Sequence, residues 1–164
     1  MAAAIHRYLS NDHARLDALL LRASSGDAID TAAYAEFRAG LLRHIAMEEK
    51  VLFALARAHH DDELAATIDR LHADHGALAS LVVPSPTHAL LRTITEILEE
   101  HNAIEERPGG VYDSCEAIAG DDLEATLARM QAIATVRVSQ HLDEPRIHEH
   151  IARMLAARRT KQQP

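Results

Sequence analysis

Apolar residues recur every three or four positions through most of this chain, with polar residues between them. Ile5, Leu9, Leu16 and Leu19 trace one stripe; Phe37, Leu41, Ile45, Leu52 and Leu55 a second; Leu64, Ile68, Leu71, Leu78 and Val82 a third; Leu90, Ile94, Ile97 and Ile104 a fourth. That spacing is the period of an α-helix with one buried face. Turn chemistry separates the segments: SSGD at 24–27, HHDDE at 59–63 with Asp61 placed to cap, and VVPSP at 82–86 with Ser85 placed to cap and Pro86 to open the helix. Short connections make successive helices run antiparallel, so the expected fold is all-α, an antiparallel up-down four-helix bundle. Past it, RPGG at 107–110 stops the fourth helix. The Asp-x-x-Glu of DDLE at 121–124 reads as a capping box opening a fifth helix over about 122–140, and DEP at 143–145 starts a sixth. The bundle is expected to occupy residues 1–118, with 119–164 a helical extension rather than an independent domain.

Composition narrows the classes. Lys and Arg total 17 against 25 Asp and Glu, a net charge of -8, which argues against nucleic-acid partners and anionic membrane surfaces. Cys115 is the only cysteine, so no internal disulfide framework exists and a reducing compartment is expected. His6 and Arg7 sit where a secretory signal needs an apolar run, and no stretch reaches the ~18 apolar residues of a membrane span. The expectation is a soluble, cytoplasmic protein without a membrane partner.

The chain also repeats itself. HIAMEEK at 44–50 is echoed by HNAIEER at 101–107, and DHARLDALL at 12–20 by DHGALASLV at 74–82. Two helical hairpins in tandem therefore each carry a lone histidine followed by a His-x-x-x-Glu. On the stripes, His44 and Glu48 take core positions, as do His101 and Glu105; His13 lies between Leu9 and Leu16, and His75 between Leu71 and Leu78. All six groups are expected to point inward. A buried, unpartnered carboxylate costs several kcal/mol, a large part of the ~5–15 kcal/mol that a domain holds in reserve. A metal centre compensates them, since imidazole nitrogen and carboxylate oxygen suit iron, manganese or zinc.

In the order DH at 12–13, HIAME at 44–48, DH at 74–75 and HNAIE at 101–105, the chain resembles the hemerythrin-like, or HHE cation-binding, family over about residues 1–107. The resemblance implies a four-helix bundle holding two non-haem iron ions, oxo- or hydroxo-bridged, with zinc or manganese as alternatives. His13 and His44 would bind one iron, His75 and His101 the other, and Glu48 and Glu105 would bridge them. Oxygen-carrying hemerythrins supply five histidines and close the last motif with an aspartate; here HADH at 72–75 puts His72 three residues before His75, as a fifth ligand, a partner behind the ligands or a surface residue. The last motif runs into ERPGG without the family's Leu-Phe-Pro ending, which remodels the mouth of the bundle. Four protein ligands per iron leave about two of six positions open on each, which suits turnover or sensing better than simple carriage.

Other polar residues have simpler readings. Glu49 and Glu106 lie ~100° round the helix from the bridging candidates and read as partners behind the ligands or rim groups rather than ligands, or else as solvated charges. His59 and His60 suit a helix C-terminus. His141, His148 and His150 have no counterpart in the repeat, and Tyr112 reaches the metals only if the break at Pro108 folds its segment back over them. The expected function is a di-iron protein engaging a small diatomic ligand, dioxygen or nitric oxide, or peroxide, as sensor, scavenger or peroxide-decomposing enzyme. The alternatives are an iron-responsive or iron-holding regulatory module, and a zinc or metal-free structural bundle. An apolar stripe from Leu123 to Val138 serves either intrachain packing or a homodimer.

Overall fold

A computed structural model describes residues 4–162, all of whose regular structure is helical. In chain order the helices are α1 (Ala4–Ser24), α2 (Thr31–Met47), α3 (Phe53–Ala58), α4 (Asp62–Leu81), α5 (His88–Glu106), α6 (Val111–Ala119), α7 (Leu123–Gln131) and α8 (Pro145–Gln162). A π turn at Glu48–Leu52 joins α2 to α3 in one rod. Asp30 accepts the Ala33 N–H at 3.0 Å and Asp61 the Leu64 N–H at 2.8 Å, so the sequence signals at the starts of α2 and α4 act as N-caps.

Packing sorts the apolar residues into two cores. The first joins Leu16 and Leu20 of α1, Phe37 and Leu41 of α2, Leu78 and Leu81 of α4, Ile94 and Ile97 of α5, and Ile151 of α8. The second joins Ile5 and Leu9, Met47, Leu52 and Phe53, Ile68 and Leu71, Val111 and Cys115, and Met130. The four histidines of the doubled motif fall between the two sets along their helices, so a polar layer separates the cores. The π turn inserts one residue into the second stripe, and its apolar face continues through Phe53 and Ala56 rather than Leu55.

Three sequence expectations need correction. Thr87, not Ser85, caps α5, accepting the Leu90 N–H at 3.1 Å; the Ser85 hydroxyl is instead engaged by Asp143 at 2.6 Å. No capping box forms at 121–124, where Gly120–Asp122 makes a 3₁₀ turn and Asp122 makes no side-chain cap. The fifth helix ends at Gln131 instead of 140, and residues 134–144, with β-branched Thr135, Val136 and Val138, form a strap without regular structure. Buried Arg38 holds that strap by donating to the carbonyls of Val82 at 2.8 Å and Ser139 at 3.2 Å. Met130 is buried and Leu123 packs against the second core, so those positions of the Leu123–Val138 stripe are used within the chain. Helix α6 has no counterpart in the sequence reading. Among the described residues no helix is long and apolar enough to cross a membrane.

Candidate metal centre

The polar layer is built from one histidine on each of four helices and two glutamates, all six at most 4% exposed. His44 Nε2 lies 3.2 Å from Glu48 Oε1, and one turn of α5 repeats the pair, with His101 Nε2 3.2 Å from Glu105 Oε1. The second oxygen of each carboxylate faces the other hairpin: Glu48 Oε2 is 3.0 Å from His75 Nε2, and Glu105 Oε2 is 3.6 Å from His13 Nε2. The rings of His13 and His44 are 4.4 Å apart between centroids and those of His75 and His101 are 4.8 Å apart. Two overlapping sets of donor atoms, one from Glu48, His75, His101 and Glu105 and one from His13, His44 and Glu48, are compact enough to hold a metal ion.

Behind each imidazole stands another carboxylate. Glu106 meets His13 Nδ1 at 2.5 Å, Asp12 meets His44 Nδ1 at 2.9 Å, Glu49 meets His75 Nδ1 at 2.7 Å, and Asp74 approaches His101 Nδ1 at 3.5 Å without hydrogen-bond alignment. An ionised carboxylate only accepts, so Nδ1 carries the proton and Nε2 turns its lone pair inward. The repeat thereby explains itself. In each hairpin the residue before the lone histidine orients the histidine of the His-x-x-x-Glu, and the second glutamate of each Glu-Glu orients the lone histidine of the other hairpin. Glu49 and Glu106 are orienting groups and not merely solvated charges. His72 is an exposed residue whose Nδ1 lies 2.9 Å from Glu49.

Inward lone pairs facing carboxylates repel unless a cation or protons lie between them. Glu48 Oε2 and Glu105 Oε1 are buried and make no hydrogen bond, and the Nε2 atoms of His75 and His101 face each other at 3.2 Å. This donor set fits a metal such as iron, manganese or zinc. Without metal, protons must do the same work. Burial disfavours a charged His44 and a charged His101, yet Glu48 beside the first and Glu105 beside the second, with Asp12 and Asp74 behind them, lift both to about 10. Burial opposes ionisation of Glu48 too, but His44 and His75 hold it well below the ordinary carboxylate value.

A pH dependence follows for the metal-free protein. Two imidazoles with folded values above their ordinary 6.5 contribute stability that is complete below pH 6.5 and lost as pH rises through about 10. Glu48, lowered from 4.5, contributes stability present above pH 4.5 and lost as pH falls towards its folded value. Thermal melts of metal-free protein are expected to peak between pH 4.5 and 6.5 and fall towards pH 10. A flat profile from pH 6 to 10 would contradict the charged pairs.

Helix α6 supplies the residue that the sequence reading left aside. The Tyr112 side chain is fully buried, and its hydroxyl lies 2.6 Å from Glu48 Oε1, 3.0 Å from Glu105 Oε2 and 3.1 Å from His13 Nε2. Burial and the two carboxylates push its phenol well above the usual range, so the metal-free protein keeps it protonated. On the opposite side, the four histidines border a cavity of about 10 Å³ lined further by Leu16, Leu41, Ile45, Leu78 and Leu98 together with Asp17 and Asn102, room for one water-sized molecule.

Across this frame, the family described as Hemerythrin HHE cation binding domain matches residues 4–108. The chain belongs to the hemerythrin HHE family. No curated protein and no solved structure is significantly similar to it. The hemerythrin match spans α1 to the end of α5 and includes all four histidines and both glutamates of the polar layer; α6, with Tyr112, lies beyond it. Family membership and the buried cluster together mark a metal-binding protein.

The orienting carboxylates give a direct prediction for this hemerythrin domain. Replacing Asp12 or Glu106 by its amide keeps the shape but removes the charge that fixes an imidazole, and such changes typically cost 10–100-fold in metal affinity. Competition titration with a chelator is expected to show that loss for Asp12→Asn and Glu106→Gln with the number of ions per chain at saturation unchanged.

Proposed function

We propose that this is a non-haem di-iron protein in which His13 and His44 hold one iron, His75 and His101 the other, and Glu48 and Glu105 bridge them. The observation that carries this is the division of each carboxylate: one oxygen faces a histidine of its own hairpin and the other a histidine of the opposite one. An antiparallel up-down arrangement of the four long helices is part of the reading. It is supported by the cores, which the N-terminal halves of α1 and α4 share with the C-terminal end of the α2 rod, whereas their C-terminal halves meet the N-terminal halves of α2 and α5. Residues 119–164 are read as an extension folded onto the bundle, since Met130 and Ile151 enter its cores. A cytoplasmic setting suits the buried free thiol of Cys115.

Iron held there would supply redox chemistry and open coordination positions to dioxygen, peroxide or nitric oxide. The chain's own contribution is confinement. The cavity admits only a very small ligand, its lining beyond the histidines is mostly leucine and isoleucine, and the four carboxylates fix the imidazoles. Iron per chain, with the visible spectrum before and after azide, tests the reading. Two irons and an azide-sensitive ferric spectrum support it, while zinc or no metal in protein purified without added metal overturns it. Rapid peroxide consumption by the loaded protein distinguishes an enzyme from a sensor.

A second reading, a metal-responsive module, is favoured by one contact. Arg158 of α8 donates to Asp74 Oδ1 at 3.0 Å and to Glu100 Oε2 at 3.1 Å, and Asp74 stands behind His101. Metal occupancy and α8 docking then share a residue, so each biases the other. Arg158→Ala is expected to lower metal affinity by at least about fivefold, and metal loading to slow amide exchange in α8. Equal exchange with and without metal removes this reading.

A further inference from the structure

Tyr112 lies outside the region that matches the family, yet its hydroxyl reaches the polar layer. Its position is built rather than incidental. Gly109 has a φ of +70°, and a Cβ on Gly110 would come within 2.7 Å of the carbonyl oxygens of Ile104, Glu105 and Arg107, so the return of the chain over the end of α5 requires this glycine pair. Asp113 accepts the Gly109 N–H at 2.8 Å and pairs with the His6 ring at 2.7 Å. Glu116 accepts the N–H groups of Ala4 and Ile5 at 2.8 and 3.1 Å, capping α1 from α6. These ties fix the first turn of α6, and with it Tyr112, over the polar layer.

The contacts of the hydroxyl are selective. It meets the oxygen of Glu48 that faces His44, the oxygen of Glu105 that faces His13, and His13 Nε2 itself. The other oxygens, Glu48 Oε2 and Glu105 Oε1, make no hydrogen bond. One phenol proton can satisfy one of three acceptors; the remaining contacts bring electron-rich atoms together around a common point. We propose that Tyr112 is a protein ligand of the ion held by His13 and His44. Resting on the di-metal reading, this makes the halves unequal: five protein donors at the His13–His44 ion and four at the His75–His101 ion. Of six positions, about one stays open on the first ion and two on the second, so an external ligand enters chiefly at the His75–His101 side. As the ion binds, the phenol O–H bond breaks, an oxygen–metal bond forms, and the proton passes to solvent.

Iron-loaded ferric protein is expected to show a visible phenolate-to-iron charge-transfer band whose resonance Raman ring modes shift when tyrosine is ring-deuterated. Tyr112→Phe keeps the ring and its packing; it is expected to hold two irons per chain, lose that band completely, and release one proton fewer on loading. Two irons per chain in the native protein with no tyrosinate band, or a band that survives in Tyr112→Phe, overturns the ligand assignment while leaving the di-iron reading intact. If the chain takes zinc instead, the same variant pair is compared by ultraviolet difference absorption, where loss of the phenolate signal in Tyr112→Phe is expected and an unchanged signal overturns the assignment. A chain that takes up no metal overturns both.

Discussion

Loading the metal-free protein with iron is expected to raise its melting temperature by about 8–16 °C for each ion held at a thousand times its Kd. Such an ion adds about 4 kcal/mol to the folded state, and a chain of this length gains about 2–4 °C per kcal/mol. The effect should be this large because the unfolded chain has no comparable site: the donors come from four helices and sequence positions 13 to 105, and only the fold gathers them. Protons on the imidazoles already stabilise the metal-free cluster, so the gain shrinks as pH falls below about 10, where metal must displace them. Circular dichroism melts with and without chelator measure it. A shift under about 2 °C at saturating metal means that the cluster is a hydrogen-bonded polar core.

The inner residues of this centre were legible because they are written locally. Four residues on a helix return a side chain to the same face, so His44 with Glu48 and His101 with Glu105 could be paired on paper, and the repeat then located His13 and His75. The orienting carboxylates were visible as letters but not as contacts. Asp12 serves His44 and Glu49 serves His75, and such partnerships between helices leave no periodic trace in one sequence. Tyr112 was harder still. Val111, Tyr112 and Cys115 have helical spacing, but the preceding Pro108, Gly109 and Gly110 read as a terminus. Those glycines in fact let the chain turn back close against the last carbonyls of α5. The fifth helix was overextended for the converse reason: apolar residues after Gln131 continue, but their β-branched members sit in a strap held by Arg38 and by Arg43, which donates to the Ile133 carbonyl at 2.9 Å.

The repeat is symmetric in sequence but not in structure. Glu48 and Glu49 open a π turn, whereas Glu105 and Glu106 sit in the last turn of an ordinary α-helix that ends at Arg107. The π turn widens the rod where two consecutive glutamates serve the cluster, Glu48 from within and Glu49 from behind His75. The second hairpin needs no such insertion, because its helix stops and Glu106 turns towards His13 at the rim. With Tyr112 touching only the oxygens on the His13–His44 side, one duplicated motif yields two halves of the polar layer with different surroundings.

Glu48→Gln separates a bridging role from a merely orienting one. Glutamine nearly matches glutamate in shape, so the second core, which holds Met47, Leu52 and Phe53, need not repack, and the glutamine amide can donate to an unprotonated imidazole. The metal-free variant should therefore fold, and His44 should lose the elevation that Glu48 gives it. Glu48→Ala is harsher: breaking a buried charge pair costs about 3–5 kcal/mol, so it is the poorer probe. With metal, the amide nitrogen has no lone pair to offer, and one of the two atoms spanning the hairpins is lost along with a full negative charge facing two cations. The expected outcome is a fall from two ions per chain to one, with the remaining ion held more than ~100-fold more weakly. Glu49→Gln, one residue on, should keep two ions and lose only 10–100-fold in affinity. Elemental analysis and chelator competition on the pair decide it. If Glu48→Gln still holds two ions as tightly as Glu49→Gln does, Glu48 is a neighbour of the metals and not the bridge between them.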